Sequence, residues 1–427
     1  SFAACFCGMA TKEVMVSAPL AVLLYDQLFV AGSFREAWRR RAKYYLALGS
    51  TWVLLGVLVL GTASRGGTAG FSTVVTPWQY LLTQAEAIAQ YLRLVVWPHP
   101  LVFDYGTPVV GGLGEVFGRA LLIAALVATA VWAVVRKRKL GYLGLWFFAI
   151  LAPTSSFLPI ASQTIAEHRM YLPLVAPIVI AVLAMHRALG VRCLPACIAL
   201  AVALGVVTHR RNHDYRSDLA LWSDTVAKRP ASARAHHNLG LALMGAGRNG
   251  EALDRLGESL RLKSGVVETH YNLGLCLARL GRGAEARQHY EQALALRPGY
   301  APAYNNLGNL LLANGQPREA RAQYEQALRL RPTFAEAHSN LGNVLLQLGD
   351  PELALHHCEE ALRLKPNFAE AHFNAGNVHA TARRLTAARA HYEQALRIQP
   401  EYAAAHHHLG NILAEHDDLV GAAEHYG

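Results

Sequence analysis

Cysteine is scarce in this chain and follows no pattern. Six cysteines occur in 427 residues, and no two stand at CxxC spacing. Neither a zinc site nor a disulfide framework is therefore indicated. Cys5, Cys7, Cys193 and Cys197 lie in apolar stretches, and Cys276 and Cys358 lie in helical repeats. Charge is sparse as well, at 16% of residues against 53% hydrophobic. Acidic residues are nearly missing from the first half. Residues 1–216 hold 19 Lys/Arg and 8 Asp/Glu, whereas residues 217–427 hold 21 and 22, so the net +10 belongs to the apolar half. A nucleic-acid-binding face would need those cations on a soluble surface. They cluster instead at Arg35, Arg39, Arg40, Arg41 and Lys43, and at Arg136, Lys137, Arg138 and Lys139, between apolar segments. Such clusters read as cytoplasmic loops under the positive-inside bias. The chain starts at Ser1 inside an apolar run and stops at Gly427 inside a repeated unit, so it is expected to lack both ends.

Apolar stretches close to membrane-spanning length run at about 14–31, 44–62, 116–135, 141–160, 171–189 and 193–208. A seventh, about 79–97, carries Gln84, Glu86, Gln90 and Arg93 at helical spacing, which predicts a polar face and an interfacial or re-entrant position. Both basic clusters then fall inside, and everything after His209 falls outside. Pro153, Pro159, Pro173 and Pro177 lie in or beside two of these stretches. Backbone broken by proline survives in lipid only where protein or water satisfies it. Between them stands Glu167-His168-Arg169-Met170-Tyr171-Leu172-Pro173. A Glu and an Arg there suit a phosphate-bearing lipid and a reacting hydroxyl, and a solvated turn with an aromatic anchor is the alternative. Lys12-Glu13 falls on the same side.

The second half keeps one register. Asn238-Leu239-Gly240 recurs as Asn272-Leu273-Gly274, Asn306-Leu307-Gly308, Asn340-Leu341-Gly342, Asn374-Ala375-Gly376 and His408-Leu409-Gly410, at a step of 34 residues. Pro298, Pro332, Pro366 and Pro400 keep that step. This is similar to the tetratricopeptide repeat (TPR), a paired-helix unit whose stacks form binding surfaces. Glycine at position eight and alanine at position 20, as at Ala252, Ala286 and Ala320, predict close helix approach. Tyr290, Tyr324 and Tyr392 are expected to pack between repeats.

Two rows of polar residues follow the register. Asn238, Asn272, Asn306, Asn340 and Asn374 occupy position six. A primary amide both donates and accepts, so a ladder of them can grip an extended polypeptide backbone. An inter-repeat cap is the alternative. The row resembles the asparagine ladder of the nucleocytoplasmic O-linked N-acetylglucosamine transferase. Asn309, Asn343, Asn377 and Asn411 form a second row. His236, His270, His338, His372 and His406 share position four, filled by Tyr304 in the third repeat, and are read as aromatic packing residues, with no metal site expected.

Several strings in the membrane half resemble one family: Lys12-Glu13 with Pro19 and Leu23-Leu24-Tyr25-Asp26, Tyr80-Leu81-Leu82-Thr83-Gln84, Tyr91-Leu92-Arg93-Leu94 with Trp97-Pro98, Asp104-Tyr105, and Glu167 to Pro173. With repeats attached, the chain resembles the transmembrane and TPR-containing proteins, whose eukaryotic members O-mannosylate secreted proteins. The Ala/Gly/Arg-rich composition suggests a bacterial member. The resemblance implies a GT-C-type glycosyltransferase that uses a polyprenyl-phosphate sugar as donor and needs no other cofactor. The family's acidic catalytic loop would precede Ser1, so the catalytic base is unassigned. Glu167, Arg169, Lys12 and Glu13 are candidates for donor or substrate binding only.

The expected fold is all-α: a polytopic membrane domain over residues 1–216, then a TPR α-solenoid of about six repeats over 217–427. The expected function is transfer of a sugar to protein hydroxyls, with an extracytoplasmic repeat array holding the polypeptide acceptor. The alternative is a non-catalytic, membrane-anchored scaffold for protein assembly.

Overall fold

The computed structural model describes residues 18–61, 76–96, 102, 110–136, 138–155, 174–416 and 418–426. Among the described residues every element is helical. They divide into two compact units that meet at Ala235 and His236. That boundary lies beyond the change in composition at 216, because the helix Asp218–Lys228 groups with the first unit.

The first unit begins with α1 (Ala18–Tyr25), which runs into a π-turn at Asp26–Ala31, followed by α2 (Phe34–Gly61). Asp26 is buried there, and a lone buried carboxylate is costly. Arg41 reaches it at 3.0 Å and the Tyr45 hydroxyl donates to it at 2.6 Å. Arg41 itself leaves helical geometry at φ −136°, ψ 25°, which kinks α2. One cation of the first basic cluster is thus paired with a buried carboxylate, and Glu36 pairs with Arg40 at 2.7 Å.

Next come α3 (Pro77–Val96), α4 (Leu113–Val135), α5 (Lys139–Ser155), α6 (Val175–Leu189) and α7 (Cys193–Asp214). Of the polar face expected on α3, Glu86 and Gln90 are half-buried and Arg93 is exposed, and only Gln84 departs from it. Gln84 is buried at 2% exposure, in line with Tyr80, Ala87, Tyr91 and Leu94. Ala87, Tyr91 and Leu94 pack with Phe147, Leu151 and Ala176, which makes α3 a core helix beside α5 and α6. Glu86 stays at the edge and pairs with Arg119 of α4. Gly144 lets α5 close on α4: a β-carbon there would lie 3.0 Å from that of Ala130.

Two helical stretches among the described residues are long and apolar enough to cross a membrane, Leu113–Val135 and Cys193–Arg210. The apolar stretches Pro19–Ala31, Leu140–Leu151 and Val175–Leu189 are shorter. At 1.5 Å per residue, fifteen residues reach only about 22 Å of a core about 30 Å thick. Leu121, Leu122, Trp132 and Val135 of α4 and Ile198, Val202, Leu204 and Val207 of α7 are all exposed. Apolar surface on that scale calls for lipid or a partner. Lys12, Glu13, Glu167 and Arg169 lie outside the described residues.

The second unit continues the register as paired helices. Repeat 1 is Ala233–Gly245 with Asn249–Leu262, and repeat 2 is Val267–Arg279 with Gly283–Leu296. Repeat 3 is Ala301–Ala313 with Pro317–Leu330, and repeat 4 is Ala335–Gln347 with Pro351–Leu364. Repeat 5 is Ala369–Thr381 with Leu385–Ile398, and repeat 6 is Ala403–Glu415 with Leu419–Tyr426. Glycine at position eight is required by distance. A β-carbon would sit 2.6 Å from the Tyr290 ring at Gly274, 2.6 Å from Tyr324 at Gly308 and 2.5 Å from Tyr392 at Gly376. The tyrosine therefore closes its own repeat as well as facing the next, where Tyr324 shares a core with Leu341 and Leu345. The turn between the paired helices needs positive φ. Gly247, Gly281, Gly315 and Gly349 supply it, and in repeat 5 Arg383 is held at φ 56°, a conformation costly for a residue with a β-carbon.

Candidate functional site

Positions five, six and nine lie on neighbouring faces of each first helix, so each recurs as a row along the stack. None of the six repeats carries Asp, Glu, Lys or Arg at these positions. Position six reaches back to the preceding repeat. Asn306 Nδ2 donates to the Tyr271 hydroxyl at 3.0 Å. Asn340 Nδ2 donates to Asn305 Oδ1 at 3.0 Å and Asn309 Oδ1 at 3.1 Å. Asn374 Nδ2 donates to the Ser339 carbonyl at 3.2 Å and its hydroxyl at 3.0 Å. Asn272 Nδ2 stands 3.5 Å from His237 Nε2. His237 Nδ1 is 2.8 Å from the Thr269 hydroxyl, and burial holds this imidazole below its ordinary pKa.

Position nine is locked the opposite way round. The hydroxyls of Tyr324, Tyr392 and Tyr426 donate to Oδ1 of Asn309, Asn377 and Asn411 at 2.7, 2.8 and 2.6 Å. Burial raises the pKa of the first two phenols, that of Tyr392 to about 12, so they remain donors. In repeat 4 position 24 is Cys358, and Asn343 Oδ1 faces Gln347 Nε2 at 3.5 Å.

One amide was expected to supply both halves of a backbone grip. The structure divides the two polarities between the rows. Position six has committed its nitrogens to the neighbouring repeat and keeps carbonyl capacity. In repeats 3, 5 and 6 position nine has committed its oxygen to a tyrosine; Nδ2 of Asn309 and of Asn377 meets no acceptor among the described residues, and that of Asn411 stands 3.4 Å from His407 Nε2. Sequence reasoning noted the second row but not its polarity. The signal was present as the pairing of Asn at position nine with Tyr at position 24. In repeat 6, His408 replaces the asparagine and packs on Phe373 and Tyr392 at ring-centroid distances of 5.4 and 5.6 Å.

The histidines at position four were read as packing residues. They do pack, but four also pair with a histidine of the second helix. Nδ1–Nδ1 distances are 3.1 Å for His270–His289, 2.9 Å for His338–His357, 3.1 Å for His372–His391 and 2.8 Å for His406–His425. Nε2 of the first member faces the carbonyl of Ser264, Pro332, Pro366 or Pro400 at 2.8–3.3 Å. A carbonyl only accepts, so Nε2 carries the hydrogen and Nδ1 is left with its lone pair.

Burial, and next the partner histidine, lower the pKa of His357 and His391 to about 4. His338, His356, Glu325 and Glu360 act on His357, and His372 and His379 act on His391. The fold therefore favours the neutral forms. Their contribution is complete above the unfolded value near 6.5 and is lost as pH falls towards 4. With a chelator present, urea melts of residues 217–427 should show stability flat above about pH 6.5 and falling steadily towards pH 4. The slope should shrink in a His357→Gln, His391→Gln variant; an equal slope there would assign the acid sensitivity elsewhere.

Comparison with known proteins agrees with this architecture. Tetratricopeptide repeat models match residues 233–258, residues 265–333, and residues 305–368, 342–403 and 373–426. The chain is a TPR-containing protein, and such repeats bind peptides or protein partners. Among solved structures it is similar to PilF of Pseudomonas aeruginosa, at 24% identity and TM-score 0.41, over 45% of this chain and 88% of that one. It is also similar to PilW, a type IV pilus biogenesis factor, at 20% identity and TM-score 0.42, over 45% and 90%. YrrB, a TPR protein with an unusual peptide-binding site, matches at 24% identity and TM-score 0.35, over 44% and 96%. No curated protein matches the chain.

Proposed function

We propose that this protein is a membrane-anchored scaffold whose repeat array holds an extended polypeptide by its backbone. The observation that carries this reading is the pair of asparagine rows, uncharged and of opposite polarity. A backbone presents N–H and C=O groups in alternation, and the rows offer acceptors at Asn272, Asn306, Asn340 and Asn374 and donors at Asn309, Asn343 and Asn377. Asn238 begins the first row. Because the contacts are to backbone, unstructured neutral peptides of equal length and scrambled sequence should bind with affinities within a few-fold of one another. Affinities spread over several orders of magnitude would point to side-chain pockets instead.

The anchor is assigned to the first unit, on the lipid-compatible surfaces of α4 and α7, and the array to the extracytoplasmic side, on the basic clusters. A reporter active only outside the cytoplasm should be active when fused after Pro230 and silent when fused after Arg41. The reverse pattern would overturn this orientation.

A second reading is favoured by the strings shared with the transmembrane and TPR-containing family. In it, the first unit transfers a sugar, mannose in the family's eukaryotic members, from a polyprenyl-phosphate donor to hydroxyls of the polypeptide that the array presents. Arg169 would hold the donor phosphate, because a guanidinium offers a fixed fork to its oxygens. Glu167 would contact donor or acceptor, with Lys12 and Glu13 as further candidates on the same side of the membrane. Arg169→Ala should then abolish transfer of labelled sugar to cell proteins at unchanged expression, and Arg169→Lys should restore part of it. Full transfer by Arg169→Ala would leave the scaffold reading alone.

A further inference from the structure

The histidine pairs are distributed in a way that packing does not explain. Positions four and 23 are both histidine in repeats 2, 4, 5 and 6. In repeat 3 they are Tyr304 and Gln323, and in repeat 1 they are His236 and Arg255. Tyrosine at position four thus packs adequately without a histidine opposite. Where position 23 is a histidine, a histidine at position four faces it, with the two Nδ1 atoms 2.8–3.1 Å apart.

We infer that these four pairs are binding sites for a late first-row divalent transition metal such as copper(II), each held by two Nδ1 atoms and completed by water. The geometry favours this in three ways. A metal-ligating imidazole usually donates its other N–H to a carbonyl or carboxylate, and position four already does so in all four repeats. Two nitrogens about 2.0 Å from a metal stand about 2.8 Å apart at a right angle and about 3.3 Å apart at a tetrahedral angle. The observed 2.8–3.1 Å falls within this span, so both nitrogens of a pair can reach one metal ion. His289, His357, His391 and His425 are half-buried rather than enclosed, so solvent can complete the coordination.

Among the described residues no three His, Cys, Asp or Glu side chains converge, so each site supplies two protein ligands. Both rings must turn, since in the metal-free pair their Nδ1 atoms face each other along one hydrogen bond. The hydrogen on Nδ1 of the second-helix histidine leaves to water, and that ring's Nε2 takes one up. A neutral pair thus binds metal without net proton release. Bound metal would bridge the two helices of a repeat in place of the shared hydrogen.

The test uses the full chain in detergent, stripped of metal with a chelator and titrated with copper(II) at pH 7.5. Equilibrium dialysis should give four copper(II) ions per chain above a weak background, and electron paramagnetic resonance should show two imidazole nitrogens on each. The combined variant His289→Gln, His357→Gln, His391→Gln and His425→Gln should lose all four, its fold kept because Gln323 already stands at that position in repeat 3. His357→Gln alone should reduce four to three, which keeps the test decisive should the combined variant fail to fold. Undiminished binding in His357→Gln, or resonance showing one nitrogen per copper, would overturn the inference.

Discussion

Replacing Tyr324 by alanine is expected to lower the stability of the repeat array by about 3–5 kcal/mol, the range for truncating a buried aromatic. For a fragment of residues 217–427 that corresponds to a fall in melting temperature of roughly 10 °C. The ring is fully buried, fills the space over Gly308 and joins the core of the next repeat. Gly308→Ala should by itself cost about 1–3 kcal/mol through overpacking, because its methyl would lie 2.6 Å from the Tyr324 ring. In the Tyr324→Ala background the same change should become neutral or stabilising, since alanine is the better helix former by about 1 kcal/mol and the obstructing ring is gone. Urea melts of the four proteins decide it. Additive losses would show that Gly308 is needed for something other than room for the ring.

Changing Asn309, Asn343 and Asn377 together to aspartate should weaken binding of a neutral unstructured peptide on the order of a hundredfold and leave the thermal melt nearly unchanged. Each lost hydrogen bond is worth about 0.5–1.5 kcal/mol, and three of them span roughly that factor. Aspartate keeps an oxygen for Tyr324 and Tyr392 to donate to and replaces the outward NH2 by a charged oxygen that accepts instead of donating. The companion triple, Asn272, Asn306 and Asn340 to alanine, should lose binding and stability together, because those nitrogens tie each repeat to the one before. Peptide affinity by fluorescence anisotropy, set beside the melts, separates the two rows. If the aspartate triple binds peptide as the native array does, the outward amides are not the grip.

How far the sequence could be read differs between the halves for a physical reason. In the repeats, each structural requirement is local and recurs every 34 residues: glycine under a ring, alanine where helices cross, proline after the second helix. Recurrence makes a weak preference readable, and the helices fall where the period put them. The apolar half has no period. Its stretches looked alike in composition, yet the structure gives Leu113–Val135 and Cys193–Arg210 the length to span, and it turns α3 inward on Tyr91 and Gln84.

By itself the sequence determined the repeat, its register and the two asparagine rows, because these follow from which residue stands at which position of a helix of known pitch. Only the tertiary structure decided what each amide does. Whether Asn340 keeps its oxygen or its nitrogen free depends on Asn305 and Asn309, one repeat away. Whether His338 is a packing ring or half of a pair depends on His357 in the opposite helix. Hydrogen-bond polarity is a property of two partners brought within about 3 Å, and helical spacing along one strand of sequence fixes only one of them.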